Sequence, residues 1–371
     1  MLQQYFAPGR VNLIGEHIDY NGGLVLPIAI AQGIGAKVLY TGSPEVRIRS
    51  AGMKGELAVN LLEETFEKRP EAWMNYPLGV IKYLLPYIQS HTDGFDAELH
   101  TDLPVGSGLS SSAALEVLTA YILLNMGSRQ SNTDGIQIAK LCKQVENEFV
   151  GVNCGIMDQF AVSMCKAQHA LLLNCNSLNY QYVQFEPEGY SLLVMNTNKP
   201  RTLTDSKYNE RKSECMHALA LINLKRGNQP IDNLCQADFN WLGYIKEPML
   251  LKRAKHVITE NYRVQAAVNA LEAKDWYEFG ELLTQSHWSL RDNYEVTGFE
   301  LDTVVNLSVR ASGCLGARMT GAGFGGCAIA LVETTKIGHF IEQVKPNYDK
   351  ATGLSLDILV TRAENGVHIK I

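Results

Sequence analysis

Hydrophobic and polar positions alternate from Phe95 to Leu103 as they do on a half-buried strand. Leu115, Leu118, Ile122 and Met126 then follow at the spacing of one helical face. The same two periods recur along the chain. Leu24–Ile30, Ile34–Leu39 and Val46–Arg49 read as strands, whereas Trp73–Leu85 and Asp134–Phe149 read as helices. Met157–Cys165 reads as a short helix that opens beyond a small-residue turn. Asn174–Gln184 is polar and turn-rich, and Tyr190–Met195 resumes an apolar run, so a domain boundary is expected near residue 182. Beyond it, Asp205–Leu224, Arg263–Leu271, Asp275–Ser289 and Phe299–Ala311 predict helices, and Cys327–Val332 and Leu356–Val360 predict strands. The expectation is an α+β chain of two lobes, residues 1–182 and 183–371.

Composition narrows the classes. The 371 residues are 46% hydrophobic, enough for a large core, and the formal charge of -6 comes without a long basic run. That argues against a nucleic-acid surface or an anionic membrane as partner. Leu24–Ala36 is interrupted by Pro27, Gln32, Gly33 and Gly35 and is not a transmembrane helix. The N-terminal residues carry no secretion pattern, and a cytoplasmic protein is expected. The eight cysteines form no CxxC pair, so buried thiols are expected rather than disulfides or zinc.

Chemistry concentrates in a few segments. Between the strand ending near Leu103 and the next helix lies PVGSGLSSSAA, Pro104–Ala114. Gly106 and Gly108 permit close backbone approach, and Ser110–Ser112 open a helix whose N-terminus favours anions. Taken alone the stretch reads equally as a phosphate cradle or as a plain turn with a serine cap. It lacks the lysine of a Walker A loop and the spacing of a Rossmann fingerprint. A second glycine-rich loop, Met319–Gly326, carries glycines at 321, 323, 325 and 326 directly before a strand. Gly9–Gly23 crowds Arg10, Glu16, His17 and Asp19 among apolar residues, a set that can bond several sugar hydroxyls or form a solvated turn. Glu146 sits at the edge of an apolar helical stripe, either reaching inward or solvated. Asp158 either caps a helix or faces a ligand.

Taken together and in order, GRVNLIGEHIDYNGG, LPVGSGLSSSAALE, GIMDQF, YNERKSEC, SLRDNYEV and MTGAGFGGC resemble the galactokinases of the GHMP kinase superfamily across nearly the whole chain. The resemblance implies a two-lobed GHMP fold with mixed and antiparallel sheets and an active site between the lobes. It implies an ATP-dependent sugar 1-kinase that converts galactose to galactose 1-phosphate, with Mg²⁺ as its only cofactor, acting as a monomer. ATP phosphates would fall to Gly106, Ser107, Gly108, Leu109, Ser110, Ser111 and Ser112, with Ser50 near the nucleotide and Ser112 and Glu146 on magnesium. Glu16, His17, Ile18, Asp19, Gly155 and Tyr208 would line the sugar, Asp158 would be the base and Arg10 its neighbour on the transferred phosphate. Ile18 stands where the family usually has threonine, and the motif begins unusually close to the first residue. A non-catalytic galactose sensor and an N-acetylgalactosamine kinase are the alternatives; mevalonate-type kinases lack the GEHxDY segment.

Overall fold

The computed structural model describes residues 2–88, 92–104, 106–125, 134–200 and 204–370, without the side chains of 204–206. Met126 of the helical stripe and Val105 of the first loop lie outside the described residues. Thirteen strands form three sheets among the described residues. In chain order they are β1 (Leu2–Asn12), β2 (Leu24–Val25), β3 (Pro27–Tyr40), β4 (Glu45–Ser50), β5 (Glu56–Asn60), β6 (Phe95–Thr101), β7 (His169–Asn174), β8 (Tyr180–Gln184), β9 (Tyr190–Asn196), β10 (Cys314–Thr320), β11 (Cys327–Glu333), β12 (Asp357–Thr361) and β13 (His368–Lys370). The helices are α1 (Asn75–Leu84), α2 (Ser111–Leu124), α3 (Gly135–Gln144), α4 (Met157–Met164), α5 (Thr204–Arg226), α6 (Pro248–Glu272), α7 (Trp276–Ser289), α8 (Phe299–Ser308) and α9 (Ile337–Thr352).

The six-stranded sheet runs β13-β1-β3-β6-β4-β5, parallel only between β4 and β6. Helix α2 packs on β1 and β3, and α1, α3 and α4 pack around α2. The four-stranded sheet β10-β11-β9-β12 is antiparallel throughout and is covered by α7, α8 and α9. The third sheet, β2-β7-β8, joins the halves and meets α6. An α+β arrangement of mixed and antiparallel sheets is thus the observed one.

Several local expectations change. The two strands expected over Leu24–Ile30 and Ile34–Leu39 are β2 and one 14-residue strand, β3, which runs straight through Gly33 and Gly35. There the partner backbone of β1 passes so close that a side chain at Gly33 would overlap the carbonyl of Ala7. The turn-rich Asn174–Gln184, where a domain boundary is expected, carries β8 in its second half, paired with β7 around the turn. The C-terminal strand β13 returns to the first sheet beside β1. The helix expected over Arg263–Leu271 is the last third of the 25-residue α6, whose earlier turns bury Arg253, His256 and Glu260 and so hide its period. Asp134 and Asp275 cap α3 and α7, their carboxylates accepting from Ile136 N and Glu278 N. Helix α3 runs on into a π-helical turn, Val145–Val150, which turns Glu146 into the protein. No described helix is long and apolar enough to cross a membrane, and the cysteines are all free thiols.

Candidate active site

The loop after β6 alternates. Gly106, Gly108 and Ser110 face a cleft of about 380 Å³, whereas Ser107 and Leu109 are buried and do not line it. Burial of Leu109 anchors the loop, and its carbonyl accepts a hydrogen bond of 3.1 Å from Arg10 N at the end of β1. The plain capped turn is excluded by Ser110: its backbone is left-handed (φ 64°), and its hydroxyl caps nothing but donates to Asp158 Oδ2. With no side chain over its end, α2 presents its first-turn N–H groups to the cleft. Ser111 and Ser112 line the same wall.

Asp158 does not cap α4 either. It stands in the first turn of that helix and turns toward Arg10, whose Nε and Nη2 donate to its two oxygens at 2.9 and 2.6 Å. The third guanidinium nitrogen, Nη1, donates to the carbonyl of Gly108 at 2.8 Å. Arg10 is almost wholly buried, while Asp158 keeps 30% of its side chain open to the cleft. A planar fork matched to a carboxylate fixes direction as well as distance. A carboxylate has about four lone-pair positions; Arg10 and Ser110 take three and leave one on Oδ1.

Glu16 and the residues after it come from the bend between β1 and β2, and the Glu16 side chain is fixed from far along the chain. Glu16 Oε1 accepts from Gly321 N at 2.7 Å and Thr320 Oγ1 at 3.1 Å and pairs with Arg318 Nη2 at 3.4 Å. Arg318, fully buried in β10, also donates from Nη1 to the carbonyls of Asn12 and Leu13. From α6, His256 Nε2 bonds the Glu16 carbonyl at 3.1 Å and Glu260 Oε1 accepts from Gly15 N at 3.0 Å. Burial would push Glu260 up, but Arg263, His256 and Arg318 together pull it down to about 2, so it stays ionised. Arg318, His256 and Glu260 carry no sequence signal, because each acts through a neighbour more than two hundred residues away.

His17 is more committed than a sugar ligand would be. Nε2 donates to the Ala322 carbonyl at 3.2 Å, so Nδ1 accepts from Tyr20 Oη at 2.9 Å. Tyr20 in turn accepts from Tyr294 Oη at 2.8 Å. Burial, then His256, lowers His17 to about 3, so the imidazole is neutral and its ring atoms are spoken for. It ties the bend to the second glycine loop rather than offering a nitrogen to a ligand. Ile18, unlike His17, does not line the cleft. Its side chain is fully buried against Gly23, which explains why an apolar side chain suits the position.

Asp19 does face the cleft. Burial, followed by the charges of Asp158 and Glu16, raises it to about 7. Gly155 packs directly on its carboxylate, where a Cβ would overlap Oδ2. Tyr208 of α5 completes this wall, its ring 5.1 Å from that of Tyr20 and 5.8 Å from that of His17. The two glycine loops touch: the space beside Gly321 is closed by the carbonyl of Gly108, 3.2 Å from where a Cβ would stand. Ser50 ends β4 opposite Leu99 of β6, at the same end of the sheet as the first loop, but does not line the cleft.

Glu146 is buried rather than solvated. Ser112 hydrogen-bonds to it, Cys154 Sγ donates to Oε2 at 3.4 Å, and no lysine or arginine ion-pairs with it among the described residues. Burial, then the charge of Asp158, raises it to about 7. A buried carboxylate and a hydroxyl beside a phosphate-type loop, short of a cation, fit Mg²⁺, which takes one or two protein oxygens and completes its shell with phosphates and water. The described residues hold no cluster of three His, Cys, Asp or Glu that would bind a metal unaided. A larger hollow of about 770 Å³ between α1 and α3 shares no lining residue with the cleft.

A sheet-borne glycine-serine loop opening a helix, a fork-held aspartate and a second glycine loop closing over the first define a small-molecule kinase of the GHMP type. Residues 75–166 match the model of the GHMP kinases N terminal domain, and residues 267–350 match that of the GHMP kinases C terminal domain. Residues 3–38 match the galactokinase galactose-binding signature, and the chain belongs to the galactokinase family. It is 47% identical to a galactokinase of Clostridium tetani over 95% of this chain and 89% of that protein. It is 45% identical to one of Clostridium beijerinckii over 98% and 93%. The crystal structure of Lactococcus lactis galactokinase complexed with galactose superimposes with a TM-score of 0.92 at 39% identity, covering 99% of this chain and 95% of that one.

Proposed function

We propose that the cleft transfers the γ-phosphoryl group of ATP to the anomeric hydroxyl of galactose, giving galactose 1-phosphate and ADP, in a monomeric cytoplasmic enzyme. The observation that carries this reading is the pairing of Arg10 with Asp158 directly beneath the glycine-serine loop, in the cleft that also holds Glu16 and Asp19.

Phosphoryl transfer passes through a loose transition state, so alignment and charge neutralisation supply most of the acceleration. Backbone N–H groups of Gly106, Gly108 and Ser110–Ser112 hold the nucleotide's phosphates, and Gly108 is kept in place by Arg10 Nη1. Asp158 Oδ1 accepts the sugar's anomeric O–H, directing the oxygen lone pair at phosphorus and taking its proton as the bond forms. Arg10 keeps the carboxylate from rotating and faces the charge that moves onto the transferred group. Ser112 and Glu146 would hold Mg²⁺, which supplies further neutralisation of phosphate charge when bound. Asp19 and Tyr208 bond the remaining hydroxyls, and Gly155 leaves the space they need. Glu16 is spent on Gly321, Thr320 and Arg318, so it sets the shape of the sugar wall as much as it offers an acceptor.

The test is ADP release measured with galactose, glucose, N-acetylgalactosamine and arabinose, with and without Mg²⁺. Turnover with galactose that requires Mg²⁺ is expected. Tight galactose binding without turnover would mean a sensor, and preference for N-acetylgalactosamine would move the substrate assignment to C2-substituted sugars.

A further inference from the structure

Behind the cleft, α2 and α4 bury two polar side chains for which phosphoryl transfer leaves no obvious part. Glu116, one turn beyond Ser112, and Gln159, next to Asp158, are both fully buried. No basic side chain ion-pairs with Glu116 among the described residues. Its Oε2 lies 3.5 Å from Gln159 Nε2, and the same nitrogen donates to Glu146 Oε2. Glu116 Oε1 and Gln159 Oε1, two acceptors, have no hydrogen-bond partner. Buried acceptors without donors are costly, and native interiors rarely leave two together.

A single proton on Glu116 resolves both. A carboxylic acid and a carboxamide satisfy one another in a ring, with the acid O–H donating to the amide carbonyl and one amide N–H donating to the acid carbonyl. The second amide N–H is then left for Glu146. We propose that Glu116 is a neutral carboxylic acid paired with Gln159, and that this pair fixes the amide so that its N–H, not its carbonyl, faces Glu146 and holds that carboxylate toward the metal-nucleotide. Burial, reinforced by the charges of Glu146 and Asp158, favours the protonated form of Glu116. A flipped Gln159 would set its carbonyl against the Glu146 carboxylate and lose both contacts. Glu116 and Gln159 touch no substrate and act as positioning residues. The proposal rests on Glu146 being a metal ligand.

Two measurements on the full chain test it. Infrared difference spectra at about pH 8, above the range in which Asp19 and Glu146 hold protons, are expected to show a protonated-carboxyl C=O band that disappears in E116Q. Binding of Mn²⁺ with ADP, followed by electron paramagnetic resonance, is expected to stay within about twofold in E116Q, whose amide reproduces the ring. It should weaken roughly ten- to a hundredfold in Q159M, which removes the donor to Glu146. Absence of the band, or an E116Q loss as large as that of Q159M, overturns the proposal. So does unchanged binding in Q159M when E146Q is weakened. Unchanged binding in E146Q itself removes Glu146 from the metal shell, and the part assigned to the pair falls with it. Thermal unfolding of each variant separates loss of folding from loss of positioning.

Discussion

The two walls of the cleft are built in opposite ways. The glycine-serine loop lies within one strand-loop-helix unit, and its shape is set by its own backbone, with Arg10 as the chief outside support. The bend from Glu16 to Asp19 has a few local hydrogen bonds through Tyr20 to Gly23, but its Glu16 and His17 side chains are also held by α6, β10 and the second glycine loop, residues 256–322. A wall that binds a nucleotide common to many kinases can be local. The wall to which we assign the sugar is assembled from both halves, so its geometry depends on their packing.

The comparison breaks most visibly at the junction of the two walls. Asp158→Asn removes the base for the sugar hydroxyl, and kcat is expected to fall roughly 10²- to 10⁴-fold; it also leaves the buried Arg10 without its counter-charge, so Tm should fall while the surviving folded protein still binds ATP. An unchanged kcat would take Asp158 out of the reaction. Arg318→Met strikes the sugar wall alone: removing one member of a buried ion pair costs about 3–5 kcal/mol. Thermal unfolding should show the loss, and the surviving folded protein should bind galactose poorly while its ATP affinity is nearly kept. Equal losses for both substrates would mean the two walls are not independent. Ser112→Ala acts on the other wall, raising the Mg²⁺ concentration needed for half-maximal turnover severalfold without altering galactose KM.

Asp19 gives a finer test through pH. In the unfolded chain a carboxyl titrates near 4, and in the folded, sugar-free protein burial raises Asp19 to about 7. The native state therefore holds more protons between these values, so its contribution to stability is complete below about pH 4 and is lost as pH rises toward 7. Asp19→Asn should flatten this part of the Tm profile. Galactose affinity has the opposite sign, since sugar hydroxyls donate to the ionised form, and KM should fall between about pH 6 and 8 in the native protein but not in the variant. The smallest effect is expected from Ser50→Ala, which removes a hydroxyl that does not line the cleft; a marked rise in ATP KM would restore Ser50 to the nucleotide site.

Much of the site was legible because its chemistry is written in short segments. Gly106, Gly108 and Ser110 to Ser112 announce a turn into a helix, and Asp134 and Asp275 announce helix starts through capping alone. Asp158 and Glu146 were legible as residues but not as roles, since capping and solvation are ordinary for a carboxylate until burial and partners are known. Ile18 shows the reverse: the segment was right, and the direction of the side chain was not, while neighbouring His17 lines the cleft with both ring nitrogens bonded within the protein. Two successive residues of an irregular bend have no fixed period from which to infer which faces inward.

By itself the sequence determined the local pieces and their order: strands and helices with a clear period, two glycine loops, and a polar bend, together with the family these motifs belong to. Tertiary structure alone decided that Arg318, His256 and Glu260 hold the bend, that Gly155 yields its space to the Asp19 carboxylate, and that Glu116 and Gln159 stand behind Glu146. The physical reason is range. Backbone preferences and hydrophobic period act over a few residues and leave a mark on the residues themselves, whereas a buried charge or amide is explained only by the partner that folding brings within hydrogen-bond distance.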